Sequence, residues 1–389
     1  MNQRKITARQ LKHLVTLFTI GSSILFIPLS TASQVRQDAW IPILLGMAFS
    51  LGLIALYSAI SRLAPDCTLV EMNRKWLGKW FGSAVSVLYI FTALVVGAAS
   101  LISYLGDFFI TQIIADTPAP IVHTLFALVV LMGMRLGIGT LARASEIMYP
   151  AFFILYVALI VMVLPNMKLE HLQPAFTSGM KPVLSGMLDY VSFSTMPLVF
   201  FLMIFPSRVD APRQEVVKAL YTGSLIGGVY LLIITVVCIS VLGLGNTLQQ
   251  VYPSYALAKK INIADFLTRI EVIMATLWII SLFYKLIVYF YAGLKGIGQL
   301  LKLKDDTMLV APLSMLLVVI SLLMYPNTAY VKMWDGKIWP PYILTFGLFI
   351  PLLLWSVGSV RTRRGKARQD SPNPAGNPYP ETSPSGGGQ

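Results

Sequence analysis

Apolar residues in this chain gather into ten runs, each long enough to cross a bilayer, at 8–33, 40–62, 82–110, 119–136, 141–164, 181–205, 214–243, 265–299, 307–325 and 339–359. About 20 apolar residues span a hydrocarbon core as a helix, so the pattern predicts ten transmembrane helices. The eighth run exceeds that need and predicts a helix that tilts or continues into water. Charged positions fall mainly between the runs. Two runs, the first and the sixth, are interrupted near their middles by small hydroxyl residues. The first reads Ile20-Gly21-Ser22-Ser23-Ile24 and continues Leu25-Phe26-Ile27-Pro28; the sixth reads Tyr190-Val191-Ser192-Phe193-Ser194-Thr195-Met196-Pro197. Backbone groups released in hydrocarbon must find partners, so irregular backbone survives there only where it lines a protected polar cavity. Breaks in equivalent spans of two five-span halves point to a binding site for a small solute.

Composition agrees with a membrane domain. Of 389 residues, 56% are hydrophobic and 12% charged, against about a quarter charged in soluble domains, and the mean hydropathy is +0.72. The basic start, Met1 to Lys12, lacks a small-residue cleavage pattern, so no cleaved signal peptide is read. Cys67 and Cys238 have no metal-type spacing, and His13, His123 and His171 are scattered; neither a disulfide framework nor a metal site is supported. The net charge of +13 raises nucleic acid as a partner, but its distribution argues against one. Lys and Arg number 21 on one side of the predicted spans and 7 on the other, with Arg269 and Lys285 inside the eighth. The positive-inside rule then places both termini in the cytoplasm.

Between the spans, Pro65 to Trp80 is a charged stretch whose Trp76 and Trp80 are spaced to share one helix face at the interface. Tyr252 to Ile263 reads as an outer segment with an amphipathic turn or two. Asn327 to Pro340, with Trp334 and Trp339, reads as an outer loop suited to the aromatic belt. Residues 1–360 form one permease-like domain, and 361–389 a basic, then Pro/Gly/Ser-rich tail that is expected to be disordered.

Three groups of residues carry a family resemblance. They are Ile6-Thr7-Ala8-Arg9-Gln10 leading into the Gly21 to Pro28 segment; Pro65 to Gly82, with Thr68-Leu69-Val70-Glu71 and Leu77-Gly78-Lys79; and Tyr252-Pro253-Ser254-Tyr255 followed by Arg269-Ile270-Glu271 and Trp278. In this order and spacing the chain, over roughly residues 4–360, resembles the spore germination permeases. These are the B subunits of spore germinant receptors (GerAB-type) in the amino acid–polyamine–organocation superfamily. The resemblance implies an all-α integral membrane fold of ten helices in two inverted five-helix repeats (LeuT-like), with helices 1 and 6 broken. It also implies sensing of small germinants, usually amino acids, beside A- and C-type partner subunits in the spore inner membrane. The basic tail departs from the family pattern.

Candidate site residues carry alternative readings. Gly21, Ser22 and Ser23 can cradle a carboxylate with freed N–H groups, or make a close helix contact. Ser192, Phe193, Ser194 and Thr195 can offer unwound carbonyls to a ligand ammonium, with Phe193 or Phe200 closing over it; otherwise the hydroxyls bond back to their own helix and Pro197 kinks it. Asp189, a turn from the second break, can attract a cation or pair with Lys181. Lys285, near mid-bilayer in the eighth span, can exchange a proton, replace a coupling cation, or cap the free carbonyls of the first break. Glu271 and Arg269 read as a gate or as a structural ion pair. Glu146 is expected to pair with Arg143 or Arg135, and Asp107 to meet water. Ser100 and Tyr104, one turn apart, can face the central cavity or pack against neighbouring helices.

No phosphate loop, metal cluster or Ser–His–acid set supports an enzyme, and no cofactor is implied. Two functions remain. The first is a receptor subunit that binds a germinant at the broken helices and triggers germination. The second is an amino acid transporter coupled to H⁺ or Na⁺. Both need a solute that prefers one conformation over another.

Overall fold

The computed structural model describes residues 5–260 and 270–369, with side chains through residue 362. Among these, structure is helical apart from one isolated parallel bridge between Ile6 and Val209. The first span is a pair, α1 (Ala8–Ile20) and α2 (Ser23–Val35), bent by 46° at Gly21 and Ser22. Thr7 starts α1 with a capping box: its hydroxyl accepts from Gln10 N at 3.2 Å while the Gln10 side chain accepts from Thr7 N at 3.1 Å. Such reciprocal bonds satisfy two donors that a helix start leaves free.

Next come α3 (Trp40–Leu63), the short α4 (Leu69–Leu77), α5 (Lys79–Gln112), α6 (Ala119–Leu136), α7 (Ile138–Asn166) and α8 (Met180–Ser194). After α8 the sixth span continues as a tighter 3₁₀ turn over Met196–Met203. Then follow α9 (Arg213–Gln249), α10 (Pro253–Lys259), α11 (Glu271–Leu300), α12 (Val310–Leu323) and α13 (Thr328–Thr362), the last running on as helix to Gln369. Eight of these helices are long and apolar enough to cross a membrane; the bent pair makes a ninth, and a shorter apolar helix occupies Thr307–Leu323.

Burial separates centre from periphery. Within its most apolar window the sixth span is 89% buried by the protein, α6 33% and α7 22%. The peripheral helices instead turn large apolar side chains outward, among them Ile147, Ile154, Leu125 and Met132. Apolar surface on that scale needs hydrocarbon around it, and the described residues form a helical membrane protein. In the interior, α1 meets α9 at Gly223 and Gly227. A Cβ at Gly223 would lie 2.8 Å from Lys12 O, and one at Gly227 2.7 Å from Thr19 Cβ. Small residues four apart let two helices approach closely where no water drives them together, and Thr16 Oγ1 uses that approach to donate to Gly223 O at 3.2 Å.

Several local expectations are corrected. Trp76 and Trp80 do not share a helix face, because Gly78 (φ +91) breaks the chain between α4 and α5; Trp76 is buried against Gly358 and Trp80 is 88% exposed. The segment expected as an outer loop, 327–340, is largely helical. Asn327 caps it by accepting from Tyr330 N at 2.8 Å, and a π-helical stretch, Trp334–Ile338, joins it to the last span. Trp339 is consequently buried rather than at the interface. The helix also passes Arg361, where the tail was expected to begin; residues 370–389 and Arg269, with 261–263 of the outer segment, lie outside the described residues.

Candidate functional site

The first break is built by Gly21. Its φ of +27° and ψ of −121° suit a residue without Cβ, and a Cβ would collide with Lys285 Cδ and the Phe18 carbonyl oxygen. Its N–H still closes α1 onto Leu17 O at 2.8 Å, while its own carbonyl accepts from Ser281 Oγ at 3.2 Å. Lys285 lies beside it, 2% exposed. Its ammonium donates to Ser22 Oγ at 3.1 Å and to Phe193 O at 2.6 Å, and stands 5.4 Å from the centre of the Phe18 ring. One cation thus joins both interruptions.

The second interruption tightens rather than unwinds. In an α-helix the Phe193 carbonyl would be met by the N–H of residue 197, which is Pro197 and has none. Lys285 takes that acceptor instead. The neighbouring hydroxyls are occupied locally. Ser192 Oγ donates to Asp189 O at 2.8 Å, Ser194 Oγ to Tyr190 O at 2.6 Å, and Thr195 Oγ1 meets Ser50 Oγ at 2.6 Å. Tyr57 fastens the turn to the last span, its hydroxyl donating to Met196 O at 3.0 Å and Gly347 O at 2.6 Å. Ser23 Oγ is buried with no hydrogen-bond partner among the described residues.

Two cavities flank these interruptions. The larger, about 480 Å³, opens toward the far ends of the first and third spans. Asp189, Asp335 and Asp107 line it, with Tyr104, Phe26 and Phe193. The smaller, about 20 Å³, lies between Ser22, Ser100, Tyr104, Phe193, Lys285 and Trp339, room for a single water. Phe193 and Tyr104 line both cavities, so their rings stand where the two adjoin. Rings brace this partition: Phe26 lies 5.0 Å from Tyr104 and 6.2 Å from Phe193, and Phe193 lies 6.0 Å from Trp339.

A polar chain runs along the partition. Tyr104 OH donates to Asp335 Oδ1 at 2.5 Å and lies 3.1 Å from Tyr325 OH, which donates to Ser100 Oγ at 3.2 Å. Asp189 accepts from Ser30 Oγ at 2.7 Å and faces the larger cavity rather than pairing with Lys181. Asp107 also faces it, accepting from Tyr252 OH at 2.8 Å.

The structure thus gathers Gly21, Ser22, Phe193 and Lys285 at one point, and Ser100, Tyr104 and Asp189 around the adjoining space. Glu271 opens α11, partly exposed, and does not line either cavity. Glu146 pairs with Arg9 at 3.3 Å rather than with Arg143, which donates to Thr140 Oγ1 at 3.1 Å. Sequence reasoning missed Asp335. Its signal was available: it is the one acidic residue between Asp306 and Asp370, set among Tyr330, Trp334 and Trp339.

Comparison with known proteins identifies the family. The family model described as spore germination protein matches residues 5–329. Spore germination protein KB of Bacillus subtilis (strain 168) is 31% identical over 370 residues, covering 94% of this chain and 97% of that protein. Spore germination protein YndE of the same organism is 26% identical over 305 residues, covering 77% and 82%. Spore germination protein GerLB of Bacillus cereus is 25% identical over 291 residues, covering 74% and 76%. With a family match across most of its length and such a relative along nearly all of it, the chain belongs to the spore germination protein family.

Proposed function

We propose that this protein is the membrane subunit of a spore germinant receptor, binding a small germinant, an amino acid, where the first and sixth spans are interrupted. The observation that carries this reading is the cavity of about 480 Å³ that ends on Phe193 and Tyr104, next to both interruptions. Its size falls within the roughly 300–1,000 Å³ of small-molecule sites. Lys285 already occupies the Phe193 carbonyl, so a ligand ammonium is directed to Asp189 and Asp335 instead. The apolar part of the ligand then meets Phe26 and Phe193. Binding that parts Phe193 from Tyr104 would favour an opened state, and a ligand shifts an equilibrium only through such a difference.

In this reading the ten spans form two inverted five-helix repeats with both termini in the cytoplasm, and A- and C-type subunits read the conformational change. The experiment is equilibrium binding of an amino acid panel to purified protein, with and without those subunits. Saturable binding of one or a few members, abolished by blocking the cavity, is expected; no binding in either preparation refutes the reading. The alternative, a proton- or sodium-coupled amino acid transporter, draws on the buried Lys285 ammonium at the breaks. Flux into proteoliposomes separates the two: ligand binding without flux supports the receptor.

A further inference from the structure

On the opposite side of the protein, where the basic residues concentrate, a separate pocket of about 450 Å³ lies between α4, the end of α11 and the turn after the sixth span. Arg74, Arg208, Lys295, Lys302 and Lys304 line it, against the carboxylates of Glu71 and Asp306. Both carboxylates are already engaged. Asp306 holds Lys295 at 2.6 Å, and Glu71 accepts from Thr68 N at 2.7 Å as the cap of α4. Arg208 stands close to the Tyr291 hydroxyl. Arg74, Lys302 and Lys304 have no side-chain partner among the described residues. Three unpaired cations therefore converge on one concavity.

A bland account is that these cations serve the end of α11, whose last carbonyls favour positive charge. The main chain has largely taken that role. Lys302 adopts a left-handed conformation (φ +54°), so that Leu303 N bonds Gly298 O at 2.9 Å and Leu301 N bonds Ile297 O at 3.0 Å. The helix end is closed without the lysine side chains. The pocket also lies at the level where the apolar run of α11 stops; Leu303, which lines it, is 37% exposed, and Leu301, next to Lys302 in the chain, is 64% exposed. Cations at the edge of a hydrocarbon layer, next to unpartnered apolar side chains, match a molecule with a phosphate head and an acyl tail.

We propose that this pocket binds the phosphate group of an anionic phospholipid, with Arg74, Lys302 and Lys304 as its ligands. Full-length protein purified in neutral detergent is titrated with phosphatidylglycerol or phosphatidylcholine, and bound lipid and melting temperature are read. Phosphatidylglycerol is expected to bind and raise the melting temperature, and phosphatidylcholine to do neither. The variant carrying Arg74→Gln, Lys302→Gln and Lys304→Gln should bind at least about tenfold more weakly. Charge-conserving Arg74→Lys, Lys302→Arg and Lys304→Arg should restore binding. A variant losing the same charge elsewhere, Lys12→Gln, Arg135→Gln and Lys218→Gln, should bind like the unaltered protein. Equal weakening by both charge-removing sets would reduce the effect to general attraction and overturn the site. Equal stabilisation by glycerol phosphate alone would overturn the lipid assignment. Germinant binding is a separate measurement and stands or falls independently.

Discussion

The Lys285 ammonium sits 2.6 Å from the carbonyl oxygen of Phe193, an acceptor that Pro197 strips of its α-helical partner. Lys285→Met should leave that carbonyl and Ser22 without their donor, at a cost of about 1–3 kcal/mol. A lower melting temperature and a weakened ligand response are expected. Lys285→Arg should also be poorly tolerated, because a planar guanidinium cannot reproduce a compact ammonium in a packed site. Wild-type melting and response in both variants would remove Lys285 from the mechanism.

Gly21→Ala places a methyl group against Phe18 O and the Lys285 stem at a backbone angle that suits glycine. We expect a loss of about 1–3 kcal/mol and impaired binding, measured by thermal unfolding and ligand titration. Gly52→Ala is the control: no atom lies within 4 Å of its Cβ position, so stability should be unchanged or raised.

Phe193→Ala should join the two cavities. In a background with Cys67→Ser and Cys238→Ala, a cysteine placed by Ser22→Cys should resist a polar thiol reagent. Adding Phe193→Ala should make it react at least about tenfold faster, since ring removal opens a water path to an otherwise enclosed thiol. Equal rates would mean that Phe193 does not form the partition.

Asp189→Asn and Asp335→Asn each remove an ionisable carboxyl from the larger cavity while keeping an oxygen for Ser30 or Tyr104. If the ligand presents an ammonium there, one or both substitutions should weaken binding by about tenfold or more, the loss of a charge-assisted bond. Unaltered affinity in both would place the ammonium elsewhere.

Much of this arrangement was legible in the chain. The run at 119–136 coincides with Ala119–Leu136, because an apolar stretch bounded by Pro118 and Gly137 leaves a helix little choice of ends. Lys285 stood out as a charge in an apolar span, and the break it serves was marked by glycine and serines. Other features depended on competition that sequence does not reveal. Ser192 and Ser194 bond their own helix, since a nearby carbonyl competes strongly for a short hydroxyl side chain. The second break was read either as unwound carbonyls or as a kink at Pro197, and the chain there tightens into a 3₁₀ helix instead. The segment around Asp335 was read as a loop, whereas a π-helical stretch carries Gly336, an α-helical turn carries Pro340 and Pro341, and Asp335 faces the larger cavity. Glu146 found Arg9, far away in sequence, over nearer arginines.

The bridge between Ile6 and Val209 couples the two ends of this machinery on its basic side. Ile6 N donates to Arg208 O at 2.8 Å, and Asp210 N donates to Ile6 O at 2.9 Å. The segment ahead of the first break and the segment beyond the second are therefore tied by main chain before either reaches the cavity. Displacing one without the other would break both of these bonds, so a probe placed at Lys5 tests whether ligand shifts the two segments together.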